Sequence, residues 1–203
     1  MESFTRATGI AVPMMRINID TDQITPGPEL IRVRTEGHAN SLFAGLRYIR
    51  DREPNPEFIL NREPWKRATI LLADRNFGCG SSRESAPKAL REYGFRAVIA
   101  PSFGGIFFNN SFRNGLLPVE LPIEVVRAMA TQMEEAQGNA AITVDLEREE
   151  VTAPDGTVHR FTAPKVLRQM LLDGVDEIDL TLQRGSQIEN YRRRDEARRP
   201  WAY

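Results

Sequence analysis

The chain has 203 residues, 41% of them apolar, a formal net charge of −1, two histidines and one cysteine. That length and apolar share support a real core in one domain, or one domain with a small appendage, while the near-zero charge gives no broad field for nucleic acid or a membrane surface. A single cysteine rules out an internal disulfide and suits a reducing, cytoplasmic compartment, no apolar run is long enough to span a bilayer, and Met1 to Pro13 does not read as a leader.

In chain order, Arg16-Ile17-Asn18-Ile19 reads as a first strand, with Asp20-Thr21-Asp22 as a turn or cap behind it. Carboxylates one residue apart invite a hard cation, but a calcium loop needs further oxygens and a glycine at fixed spacing, and these are missing. Glu36 to Pro64, with prolines at 54, 56 and 64, reads as a long irregular excursion. Thr69 to Ala73 is an apolar run expected to form a buried strand, and Ala86 to Tyr93 a helix, so the glycine-rich residues 74–87 occupy a strand-to-helix turn. Val98 to Ala100 reads as a strand, Ile106 to Arg113 as a helix stopped by Asn114-Gly115, and Leu116 to Leu121 as a strand. An amphipathic helix over Pro122 to Gln137 precedes hairpin strands Ala141–Leu146 and Glu149–Ala153, an Asp155-Gly156 turn and a strand at Val158–Phe161. Helices near Pro164–Leu172 and Asp176–Arg193 close the chain, and the arginines at 192–194, 198 and 199 read as a solvated helix terminus rather than a nucleic-acid patch.

The turn carries the chemistry. Asn76-Phe77-Gly78-Cys79-Gly80-Ser81-Ser82-Arg83-Glu84 lacks the third glycine of a dinucleotide fingerprint, the Gly-Lys-Ser/Thr of a phosphate loop and the glycine spacing of a hydrolase elbow. What remains is an anion-binding turn, with unpaired N–H groups at a helix start, the Ser81 hydroxyl, and the Arg83 guanidinium suited to gripping a carboxylate. Ser81-Ser82-Arg83-Glu84 also fits a capping box, in which Ser81 caps the helix and Glu84 reaches back to the Ser81 amide. A cap alone has no need of Gly78 and Gly80, whereas close approach of a ligand to the backbone does. Cys79 reads as a small space-filling residue, with no histidine near it in sequence to serve as base.

Together with Tyr93-Gly94-Phe95-Arg96-Ala97-Val98-Ile99-Ala100-Pro101-Ser102-Phe103, the turn closely resembles the small subunits of 3-isopropylmalate dehydratase, relatives of the swivelling C-terminal domain of aconitase. Asn18 to Ile24, Asn110 to Pro118 and Asp179-Leu180-Thr181-Leu182-Gln183 fit the same family in the same order, so the likeness spans nearly the whole chain. It implies an α/β fold, a swivelling β/β/α three-layer domain with mixed sheets over residues 1–203, with an irregular excursion near 36–64 and a C-terminal helical extension near 176–199. By resemblance Ser81 is the general base that takes a proton from the carbon beside a carboxylate, Ser82 and Arg83 bind substrate, and Asp22 orients the arginine or the base. The family's second carboxylate-binding arginine matches Arg34 best, with Arg32 a competitor.

The resemblance also implies a four-iron, four-sulfur cluster, which needs several thiolates that one cysteine and the distant His38 and His159 cannot supply. No cofactor is expected on this chain; the cluster is expected on a large partner subunit, leaving this chain half of an active site. The expected reaction interconverts 2- and 3-isopropylmalate, small dicarboxylates, in leucine biosynthesis. Two departures fall where substrate choice is expected to reside: Gly27-Pro28-Glu29-Leu30 in place of a basic or larger residue and an aromatic, and Ser85 in place of histidine. They keep open a paralogue for citramalate, dimethylmalate, maleate or a homocitrate-like acid. A non-catalytic anion-binding or regulatory module is the alternative of another class.

Overall fold

Adjacent in the chain, β1 (Arg6–Gly9) and β2 (Ala11–Met14) enter different sheets. The structure, a computed structural model, describes residues 1–80 and 83–203, and the side chains of Arg34 and Glu36 lie outside that description. β2 opens a four-stranded parallel sheet with β3 (Ile70–Ala73), β4 (Ala97–Ala100) and β5 (Leu117–Glu120), in that order. β1 pairs antiparallel with β6 (Ile142–Asp145), which continues through β7 (Glu150–Thr152) to β8 (Val158–Arg160). The expected α/β class is thus realised by two sheets, one wholly parallel and one wholly antiparallel.

Apart from the exposed Glu120 at the end of β5, the parallel strands are apolar and buried because both of their faces are covered. Ile70, Leu72, Ala97, Ile99, Leu117 and Val119 face a core shared with Val126, Met129 and Met133 of helix α6 (Ile123–Glu135) and with Ile142, Val144 and Val151 of the antiparallel sheet. Their neighbours Leu71, Ala73, Val98 and Ala100 pack the other way, against Ala86, Ala89 and Leu90 of α4 (Ser85–Tyr93) and against Leu42, Phe43 and Leu60. Those last three belong to the excursion, which is built of short turns at Ala39–Ser41, α3 (Ala44–Arg47), Arg50–Arg52 and Ile59–Asn61. Its buried apolar side chains dock it on the sheet rather than leaving it a free surface loop.

Two local expectations are corrected. Arg16 to Ile19 is not a strand: β2 ends at Met14, the Arg16 amide turns back to the Met14 carbonyl at 2.8 Å, and Asn18 has φ of 55°. The true strand lies earlier and contains Pro13, which breaks the sequence signal but is tolerated on β2, the edge of the parallel sheet. Arg32 and Arg34 lie on helix α2 (Glu29–Glu36). The last predicted helix is two, α8 (Glu177–Leu182) and α9 (Gly185–Arg198), and the second restarts at Gly185, a poor helix former. α8 begins with a capping box between Asp176 and Asp179, while α9 holds its arginines in i,i+4 pairs, Arg193 with Glu189 and, just past its end, Arg199 with Asp195.

Candidate functional site

The site forms at the carboxyl ends of β2, β3 and β4, where open parallel sheets present their ligand-binding loops. These loops do not splay; they keep the hydrogen-bonding sense of the sheet beyond the strands. The Gly78 amide donates to the Ile19 carbonyl at 2.7 Å, the Thr21 amide to the Cys79 carbonyl at 3.0 Å, the Phe77 amide to the Ser102 carbonyl at 3.1 Å, and the Gly104 amide to the Phe77 carbonyl at 2.8 Å. Asn18 and Asn76, both with positive φ (55° and 61°), add an amide-to-amide hydrogen bond of 2.9 Å between the first two loops. Asparagine is the non-glycine residue that tolerates this conformation, which explains the type at both positions.

Gly78 has a cause other than ligand approach. Its φ is +70°, and a Cβ there would lie 2.2 Å from Cγ of Phe107. Phe107, 3% exposed, belongs to α5 (Gly105–Arg113) and stacks edge-on against Phe77 with centroids 5.3 Å apart. The glycine thus lets the turn lie flat on an aromatic floor. Gly80, with φ of +88°, has Asp20 as its nearest neighbour and so keeps the two loops in contact.

Asp20 caps α1 (Thr21–Ile24), its carboxylate accepting from the Gln23 amide at 2.7 Å. The cap aims Asp22, in the first turn, at Arg83, whose Nη2 lies 2.7 Å from Asp22 Oδ1. Arg83 Nη1 reaches the Thr25 carbonyl at 3.4 Å, and the Cα hydrogen side of Gly27 faces the guanidinium, where a Cβ would lie 3.5 Å from Nη1. The pair is partly exposed, so it contributes little stability and its effect is to fix the orientation of the guanidinium. Sequence reasoning missed Thr25, which is fully buried with a side-chain oxygen that has no hydrogen-bond partner among the described residues. Of the other expected site residues, Ser81, Ser82 and the side chain of Arg34 lie outside the described residues. Helix α4 begins at Ser85 with Glu84 at its N-cap position, and the Glu84 carboxylate pairs with Lys88, four residues on along the helix, at 2.9 Å. The capping box expected at 81–84 rests on Ser81, which lies outside the described residues.

Two further groups bound what the site can do. Burial, then the neighbouring Asp20 carboxylate, push the Cys79 thiol above its ordinary range, so this is no activated nucleophile. Asp20→Asn keeps a good cap and removes the charge; stability in urea is expected to change by less than about 0.5 kcal/mol. The pH midpoint of Cys79 alkylation should fall while remaining above that of a free thiol; an unchanged midpoint would remove Asp20 as a cause. His38 is engaged elsewhere, its Nδ1 2.8 Å from Glu92 near the far end of α4. Burial raises the Glu92 carboxyl, but the His38 backbone amide and ring outweigh it and hold the group below the usual carboxylate range. Among the described residues no cluster of three His, Cys, Asp or Glu side chains is able to hold a metal, and no helix is long and apolar enough to cross a membrane. With one cysteine, these residues do not fit an iron–sulfur cluster.

The family model described as the aconitase C-terminal domain matches residues 1–124, and one described as LeuD_N matches residues 131–162. The 3-isopropylmalate dehydratase small subunit of Cupriavidus necator is 51% identical, with 100% of this chain and 99% of that protein covered. That of Rhizobium meliloti is 46% identical, with 100% of each covered. A crystal structure of 3-isopropylmalate dehydratase from Methanocaldococcus jannaschii superimposes with a TM-score of 0.62 at 27% identity, covering 92% of this chain and 99% of the other.

Proposed function

The chain belongs to the aconitase C-terminal domain family and, within it, to the small subunits of 3-isopropylmalate dehydratase, and from that premise we propose that residues 78–83, Asp22 and Arg34 form its half of a hydro-lyase active site. The enzyme interconverts 2- and 3-isopropylmalate in leucine biosynthesis, and this chain acts with a large subunit. Ser81 exchanges the proton on the carbon beside a substrate carboxylate. A serine hydroxyl is far too weak an acid to do so unaided, so its alkoxide needs positive charge and N–H donors close by. Arg83, two residues on, supplies the charge. The positive end of the α4 dipole lies at the same turn and favours the developing negative charge. Ser82 and Arg83 hold one carboxylate and Arg34, on α2, a second. Residues 1–203 act as one swivelling, cytoplasmic unit. The iron–sulfur cluster lies on the large subunit, and this chain's part is to bind and orient the diacid and to move the proton.

The observation that carries the reading is the 2.7 Å contact between Asp22 and Arg83, which holds a guanidinium at the carboxyl ends of the parallel strands beside a glycine turn. Arg83→Lys keeps the charge but cannot serve Asp22, Thr25 and a carboxylate from one planar fork. KM for 3-isopropylmalate should rise about 10- to 100-fold, with complex formation unchanged. Unaltered steady-state kinetics would remove Arg83 from the binding set.

Gly27 favours a second reading within the same chemistry, because a side chain at this position would meet the Arg83 guanidinium and here none does. The test of both is anaerobic reconstitution with the large subunit and assay of 3-isopropylmalate beside citramalate and maleate. Turnover of isopropylmalate well above the others upholds the leading reading, preference for another acid moves the function to a paralogue, and no turnover with an intact cluster overturns both in favour of a binding module.

A further inference from the structure

Arg47 is 7% exposed, yet among the described residues no carboxylate lies within ion-pair distance of it. Charged side chains buried to this degree are ordinarily paired. This one is instead sandwiched between two phenol rings, with its guanidinium carbon 4.8 Å from the Tyr48 centroid and 5.1 Å from that of Tyr93. Its Nη1 donates to the carbonyls of Ala39 at 3.0 Å and Leu42 at 3.3 Å, and Nη2 donates to the Tyr48 hydroxyl. These contacts satisfy hydrogen bonds without neutralising the charge.

The guanidinium lines an open cleft of about 470 Å³, together with Asn61, Lys66, Arg67 and the two tyrosines. Lys66 and Arg67 share a single carboxylate, Glu63, at 2.7 and 3.0 Å, so three cations are set against one anion. The cleft is in the size range of small-molecule sites, has aromatic walls, and combines the buried Arg47 with two exposed cations, Lys66 and Arg67. We propose that it binds a small free dicarboxylate, one carboxylate on Arg47 and the other between Lys66 and Arg67, as an anion site additional to the turn at Arg83. The site rests on neither Ser81 nor Arg83, and so stands or falls independently of the proposed catalytic reading. Its ligand carries no ammonium group, because among the described residues the lining includes no carboxylate and the neighbouring Glu63 is already held by Lys66 and Arg67.

The probe is succinate, titrated into the full chain and followed by the amide resonances of Asn61 and Tyr93. The double variant Lys66→Gln/Arg67→Gln removes two exposed cations without touching Arg47, whose hydrogen bonds also fasten residues 39–48. Saturable shifts at both residues, weakened about tenfold or more by the double variant at unchanged melting temperature, are expected from the loss of charge-assisted hydrogen bonds. Arg47→Lys should weaken binding as well, because it keeps the charge and loses the fork. Absence of saturable shifts overturns the proposal, as does binding that the double variant leaves intact. If succinate has no effect but the double variant loosens the complex with the large subunit, the cleft receives a protein side chain and the small-molecule site is refuted.

Discussion

Ser81→Ala is expected to lower turnover of 3-isopropylmalate by the reconstituted enzyme about 100- to 10,000-fold, the usual contribution of a positioned general base. The loss should fall on kcat more than on KM, because in the proposed roles the hydroxyl acts on a proton in the transition state while Arg83 and Arg34 hold the carboxylates in the ground state. Assembly with the large subunit should survive, since the turn is held by main-chain bonds of Phe77, Gly78, Cys79 and Gly104 that the substitution does not touch. Ser82→Ala, made in parallel, removes a substrate contact instead and should appear chiefly in KM. Retention of kcat within a few-fold by the Ser81 variant would dismiss it as base and return it to the role of a cap.

Gly78→Ala should be a severely damaging addition of a single methyl group near the site. The new carbon would stand 2.2 Å from Cγ of Phe107, at the root of a buried ring and not at the free end of a flexible chain, while the backbone stays at φ of +70°. Overpacking and backbone strain each cost about 1–3 kcal/mol, so destabilisation of roughly 2–6 kcal/mol is expected in denaturant unfolding. Gly156→Ala separates the two causes: its φ is +87° but nothing lies within 4 Å, so it should cost only the backbone share. Equal losses at the two positions would mean that Phe107 yields freely and that the aromatic floor does not set the turn.

Much of the fold could be read in the sequence where local signals agree. The apolar run at 69–73 became β3, the helix after the turn became α4, and Asp155-Gly156 marked the turn between β7 and β8. β1 and β2 escaped because their segments contain Gly9 and Pro13, residues that weaken a strand signal although an edge strand accommodates proline. At the site, Asp20 announced itself as a cap by residue type, and the composition of the turn marked an anion-binding element. The contact between Asp22 and Arg83, the Phe107 ring under Gly78 and the buried Thr25 hydroxyl depend on how separate loops meet, which no periodicity records. The capping box at 81–84 rests on Ser81, outside the described residues, and the Glu84 carboxylate itself pairs with Lys88.

The pairing of β2, β3 and β4 past their ends has a consequence for how two subunits come together. Cys79, Gly78 and Thr21 are already locked across the loops by the chain's own amides and carbonyls. On the proposed reading, a large subunit meets a surface whose frame is set before encounter, little of the association free energy is consumed in fixing it, and what is conserved is left for holding the diacid at the junction between the chains.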